Sequence, residues 1–302
     1  MRQTHAASLE QIYGPIAADL RLVEAELDLQ IRSLVENHEK LVERHAYLKE
    51  IIASLSSMRG KLLRPALVLL SGRAVAGPGV ARSPGSPLVT MAVAAELVHA
   101  ASLIHDDIID HAIVRRARAA IYREFGTGIA VLVGDVLYAQ FFSLIAQLQL
   151  PAEQRLKLVQ LFCAVTKSMS QGEIFQHGVK RYHLEITVDD YLAIIRSKTA
   201  ALMSACCASG ALVAAGPEPQ VTAAAEFGLQ FGLAFQLMDD QMDQDALATE
   251  LALVQRAGRH ARRAGTVLGR FPASESRSVL QALTGFVLAQ RATDVPAASP
   301  AV

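Results

Sequence analysis

An all-α fold is what this sequence predicts, and three observations carry that prediction. Alanine and leucine abound, aromatic residues make up only 5% of the chain and tryptophan is absent, so strong helix formers dominate. Alternation of β-branched and polar residues, the mark of half-buried strands, is scarce. Apolar residues instead recur at helical spacing, first in Ile12, Ile16, Leu20, Val23 and Leu27. The 302 residues suffice for one large domain or two small ones with a sizeable core. Lys plus Arg and Asp plus Glu number 29 each, so no global field points to nucleic acid, and any anion site must be made locally.

From about Ser8 to Leu55 the pattern reads as two amphipathic helices. The second part is charged through Glu36, Glu39, Lys40, Glu43 and Arg44 and reads as a partly solvated outer helix or a partner face. Met1 to Leu20 has no apolar stretch of the signal-peptide kind. Cys163, Cys206 and Cys207 have neither disulfide nor metal-ligand spacing, which suits a reducing cytoplasm. In Arg59-Gly60-Lys61-Leu62-Leu63-Arg64-Pro65, Gly60 allows a turn and Pro65 suits the first turn of a helix through Leu70. Lys61 and Arg64 then project near a helix N-terminus, where they are either simply solvated or placed to meet a phosphate.

Ala76 to Pro87 reads as a loop, and Leu88 to Ile104 as a buried helix with Glu96 and His99 inside its apolar run. His99 is either a satisfied core histidine or a ligand contact, since it lies two turns before Asp106 on the same face. Arg115, Arg116 and Arg118 follow; they either neutralise the aspartates before them or hold a diphosphate. Ile129 to Ala146 is apolar and reads as core or as the lining of a hydrophobic tunnel. Glu153 to Gln176 is a further helix, Thr187 is a plausible N-cap for the next, and Lys198 enters the uncharged segment Thr199 to Gly216. A lysine there is costly unless it meets an anion or reaches solvent. Thr199 to Gly216, the one membrane-like stretch, is mostly small residues and reads as a buried helix, so no transmembrane segment is expected. Leu247 to Leu268 carries a basic face, Ser274 to Arg291 is a last helix, and residues 292–302 read as a frayed tail beyond a domain spanning 1–291.

Two acidic clusters carry the chemistry. Asp106, Asp107 and Asp110 end the helix that begins at Leu88, with Asp106 and Asp110 one turn apart on one face. Three carboxylates so close repel one another unless a cation or proton intervenes, and oxygen donors without cysteine suit Mg²⁺. Alone, such a triplet could equally be a solvated helix end. Asp239, Asp240 and Asp243 repeat the spacing at the end of a second apolar helix, Phe227 to Met238. Two such clusters facing one cavity could clamp a polyphosphate through several metal ions.

With these motifs in order, roughly Ser57 to Asp243 resembles the trans-isoprenyl (polyprenyl) diphosphate synthase family. Gly60-Lys61 with Arg64-Pro65 is similar to the family's basic loop, and His99 through Asp110 to its first aspartate-rich motif. Arg115-Arg116, Gly134-Asp135, Gly172-Glu173, Lys198-Thr199 and Phe235-Gln236 through Asp243 fall in family order. The resemblance implies a helical bundle around a central cavity, a homodimer, and three Mg²⁺ ions. It implies that Asp106, Asp110 and Asp239 lead metal binding, supported by Asp107, Asp240 and Asp243. Arg115, Lys198, Thr199 and Gln236 would hold the allylic diphosphate; Lys61, Arg64, His99 and Arg116 would hold isopentenyl diphosphate. Asp106, Asp110, Lys198 and Asp239 would then be the catalytic set.

Ala101 and Ser102 are small where short-chain members of the family carry bulky aromatics, so a product longer than farnesyl is expected. Two departures stand out. Ala117 and Ala119 replace a glycine and a proline, and the segment after Asp245 lacks the family's Gly-Lys loop. The latter raises a second reading, a regulatory subunit needing a partner chain. A terpene cyclase is disfavoured because its second metal motif mixes Asn, Ser or Thr with Glu. A His-Asp phosphohydrolase leaves the second triplet and the basic loop unexplained.

Overall fold

The computed structural model describes residues 8–34, 46–57, 60–77, 83–116, 118–243 and 252–289. Ser8 caps α1 (Leu9–Tyr13) through reciprocal bonds with Gln11, a single 3-10 turn follows at Gly14–Ile16, and α2 (Ala17–Ser33) continues the chain. Ile12, Ile16, Leu20, Val23 and Leu27 are all buried, so the helical spacing marked a true core face. The charged stretch Glu36 to Arg44 and the tail 292–302 lie outside the described residues. After α3 (Ala46–Ser57) comes α4 (Leu63–Ala76), entered through Leu62 in the left-handed region with φ 50°. A buried ion pair, Arg73 with Asp19, ties α4 to α2, and Arg73 Nη1 also donates to the Pro15 carbonyl at 3.3 Å.

The central element is α5 (Pro87–Ile109), which packs against α2, α4, α7 and α10 of the helices described below. It runs past Ile104, so Asp106 and Asp107 are helical and Asp110 is the C-cap. The all-helical expectation meets one departure: β1 (Val114–Arg115) and β2 (Arg118–Ala119) pair antiparallel, Val114 opposite Ala119 and Arg115 opposite Arg118. The connection is a two-residue loop, and Arg116 at its first position has φ 51°, as a primed hairpin turn requires.

Next come α6 (Ile121–Phe125), α7 (Thr127–Gln147) and the long α8 (Ala152–Tyr182). Thr187 caps α9 (Val188–Ile195) reciprocally with Asp190, as its position predicted. A π-turn, Arg196–Ala200, then leads into α10 (Ala201–Val213), where Ala205 to Gly210 are all buried. The last helices are α11 (Glu218–Asp243), α12 (Leu253–Leu268) and α13 (Glu275–Ala289), with α11 packed on both α10 and α12.

Buried apolar residues from Ile12 to Val287 form one continuous cluster. Fully burying a Leu or Phe contributes roughly 1.5–3 kcal/mol, against about 1 for a helix cap, so packing around α5 dominates the energetics. Two helices, α5 and α7, rather than the stretch Thr199 to Gly216, are long and apolar enough to cross a membrane. The α5 window is 72% buried, which explains its apolarity as core; the α7 window is only 33% buried and exposes Val131, Leu132 and Val136.

Candidate active site

Three communicating cavities lie around the C-terminal half of α5. The central one, about 390 Å³, is lined by α4, α5, the hairpin, α8, the π-turn, α10 and α11. Asp106 from α5 and Asp239 from α11 both line it, so the leading aspartates of the two clusters face one space. On one side it shares Arg64, His99, Arg116, Phe235 and Asp239 with a basic cavity of about 310 Å³, which also takes in Lys61 and Glu96. On the other it shares Ser102, Asp106, Met169 and Lys198 with a cavity of about 540 Å³ whose wall is largely apolar, including Ile108, Ile109, Tyr138 and Ile174.

The basic side depends on close backbone approach. A Cβ at Gly60 would lie 2.3 Å from Arg116 Nη2, so any larger residue there would push the Arg116 guanidinium out of its present position. The four basic-site residues expected from the sequence, Lys61, Arg64, His99 and Arg116, all line this cavity. Burial, and then the charges of Arg64, Arg116 and Arg115, hold the His99 imidazole well below its ordinary pKa, so the ring is neutral at pH 7.

The two clusters are built differently. Asp107 is buried and accepts from both Nε and Nη2 of Arg115, the Nε bond at 2.8 Å; it lines none of the three cavities. That bond holds the Arg115 guanidinium above its usual pKa. Asp110 is exposed, with Lys180 Nζ 3.7 Å away. On α11, Asp240 accepts from Tyr191 Oη and, at 2.7 Å, from Gln236 Nε2. Thr199 Oγ1 donates to Gln236 Oε1 at 2.7 Å, so Thr199, Gln236, Asp240 and Tyr191 form one chain of hydrogen bonds. The Asp243 side chain lies outside the described atoms, as does the stretch 244–251 where the Gly-Lys loop is missed.

Lys198 projects from the π-turn and pairs with Glu173 while donating to Gln176 Oε1. The π-turn places these groups; such turns recur at functional sites. Gly172 allows it, since a Cβ there would lie 2.8 Å from Ser197 Cβ. Glu173 was marked in the sequence only by its place in the Gly172-Glu173 motif, and nothing there marked Tyr191 or Met169.

Burial, then neighbouring Glu173 and Asp110, push the Asp106 carboxyl up to about 7 against the pull of Lys198 and Arg115. A desolvated carboxylate crowded by others is the place where a divalent cation gains most. Among the described residues no three His, Cys, Asp or Glu side chains converge as an all-protein metal cage would require. Mg²⁺ fits nonetheless, because it is commonly held by one or two carboxylates, waters and a substrate's phosphates. Ala101 is fully buried and lines none of the three cavities, whereas Ser102 lines two of them.

Residues 45–252 match the family model described as Polyprenyl synthetase. The chain is 36% identical over 187 residues to an octaprenyl diphosphate synthase of Haemophilus influenzae, covering 62% of this chain and 53% of that protein, about half its length. It is 35% identical over 246 residues to a prenyl transferase of Cyanophora paradoxa, covering 81% and 70% respectively. It is 34% identical to heptaprenyl diphosphate synthase component 2 of Geobacillus stearothermophilus, over 78% of this chain and 67% of that one. In fold it resembles a decaprenyl diphosphate synthase of Rhodobacter capsulatus with a TM-score of 0.79 at 24% identity, covering 94% of this chain and 99% of the other.

Proposed function

Because the chain belongs to the polyprenyl synthetase family, we propose that it joins isopentenyl diphosphate to an allylic diphosphate, making a trans polyprenyl diphosphate longer than farnesyl. The observation that carries this reading is the central cavity, faced by Asp106 and Asp239 and flanked by one basic and one apolar chamber. Lys61, Arg64 and Arg116, with neutral His99, bind the isopentenyl diphosphate in the basic chamber. Lys198, Thr199, Gln236 and Arg115 orient the allylic diphosphate in the central one.

Asp106 and Asp239 hold Mg²⁺, with Asp110 and Asp243 as further donors; the family resemblance puts the number of ions at three. Bound Mg²⁺ supplies a Lewis acid that stabilises charge on the departing diphosphate. The allylic C–O bond breaks with its electron pair leaving on the diphosphate. The isopentenyl π pair forms the new C–C bond, and loss of a proton restores an alkene. Phe235 and Leu202, together with Leu103, keep water from the allylic cation. The growing tail passes Ser102 and Met169 into the apolar chamber.

Residues 1–291 are read as one domain acting in the cytoplasm as a homodimer. Val131, Leu132 and Val136 on α7 are exposed apolar side chains within two turns of one another that a second copy would cover. A second reading, a subunit needing a different partner chain, draws on the relative whose name calls it a component. Radiolabelled isopentenyl diphosphate offered with dimethylallyl, geranyl, farnesyl or geranylgeranyl diphosphate and Mg²⁺ separates them. Elongation past C15 by the chain alone supports the synthase. Diphosphate binding without turnover supports the subunit.

A further inference from the structure

Glu96 is a buried carboxylate that prenyl transfer leaves without a task. It lies on α5 in the wall of the basic cavity, 8% exposed, and its Oε2 has no hydrogen-bond partner. In the same wall Arg64 Nε is buried without a partner, as is the Oη of Tyr13 from α1 nearby. Burial pushes the Glu96 carboxyl up, and the charges of Arg64 and Arg116 pull it back down. Those two guanidiniums belong to the group expected to grip a diphosphate.

We propose that Glu96 is a resident counter-anion of the basic cavity, balancing Arg64 and Arg116 while the cavity is empty and competing with an incoming diphosphate for them. This rests on the reading of that cavity as the isopentenyl diphosphate site. The absence of a contact decides the sign. A carboxylate hydrogen-bonded to the arginines would aim them, and its loss would weaken binding. The Glu96 Oε2 makes no such bond, so its influence is charge acting through a poorly solvated space. It stabilises the empty site, and it repels the ligand. The cavity thereby stays folded when empty and releases its ligand readily.

The test compares wild type with Glu96→Gln in chelator, without divalent metal, by calorimetric titration of isopentenyl diphosphate and by thermal melting. Glu96→Gln is expected to bind about tenfold tighter. Its empty form is expected to melt about 4 °C lower or more, with the difference shrinking at saturating ligand. Glu96→Asp, which keeps the charge, should stay within about twofold of wild type in affinity. Unchanged or weaker binding by Glu96→Gln, with wild type binding normally, overturns the counter-anion role alone. Wild type that neither binds nor incorporates isopentenyl diphosphate overturns the site reading beneath it. If Glu96→Gln is insoluble, refolding with inorganic pyrophosphate should recover it; failure to recover it overturns the proposal.

Discussion

The acidic cluster closing α5 and the one closing α11 share the spacing D-D-x-x-D but not the surroundings. In each the first aspartate, Asp106 or Asp239, faces the central cavity. In each the second is anchored, Asp107 by the charged Arg115 and Asp240 by the neutral Tyr191 and Gln236. Four residues before the first aspartate stands Ser102 in one cluster and Phe235 in the other. The α5 side is thus open toward the apolar chamber, while an aromatic ring occupies the matching place on the α11 side. Equal spacing fixes which face of a helix the carboxylates share; it does not assign them equal tasks.

The largest effect should come from the leading pair. Asp106→Ala or Asp239→Ala is expected to cost about a thousandfold in kcat/KM for isopentenyl incorporation, with little loss in melting temperature. An equal loss from Asp107→Asn would break the division into facing and anchored aspartates. The anchors should register in stability instead. Asp107→Ala leaves Arg115 without its buried partner and should cost about 2 kcal/mol by urea unfolding, somewhat below the usual value because Arg115 is 33% exposed. Asp240→Ala, which removes the bonds from Tyr191 and Gln236, should cost about 1 kcal/mol.

Protonation gives the next test of the α5 cluster. The raised Asp106 group, at about 7, binds a proton in the folded state that the unfolded chain releases near its ordinary value of 3.8. Its contribution to stability is therefore present at low pH and is lost as pH rises from about 4 through about 7. Metal binding runs the other way. Mg²⁺ affinity at the α5 cluster should fall up to about tenfold per unit as pH drops below 7, measured by titration at pH 6 and 8. A flat Mg²⁺ affinity over that range would remove Asp106 from the metal site.

The fold was largely legible in the chain because helix signals are local. The apolar spacing of Ile12 to Leu27, the cap at Thr187 and the small residues of α10 all lie within a turn or two of what they determine. The grouping of Lys61, Arg64, His99 and Arg116 was legible only through motif order. Nothing nearby in sequence shows that the hairpin folds back over Gly60. The Tyr191–Asp240 and Glu173–Lys198 pairs were hidden for the same reason, since each joins helices far apart in the chain. Ala101 and Ser102 were indistinguishable as small residues; only the rotation of α5 within the bundle buries the first and exposes the second to the cavities.

That rotation sharpens the contrast between Ser102 and Phe235. Ser102→Phe should shorten the product by at least one isoprene unit on chromatographic sizing. Ala101→Phe should chiefly destabilise, by about 1–3 kcal/mol from overpacking. The smallest effect is expected from Tyr191→Phe, about 0.5 kcal/mol in unfolding with product length unchanged.

Whether the two clusters act on one space as a unit is settled most directly by a double-mutant cycle. Isopentenyl incorporation would be measured for Asp106→Ala, Asp239→Ala and the pair together. Residues clamping one diphosphate fail together, so the double variant should be little slower than the worse single one. Losses that multiply, roughly a thousandfold upon a thousandfold, would mean that the clusters work independently and that the shared cavity is not the reaction site.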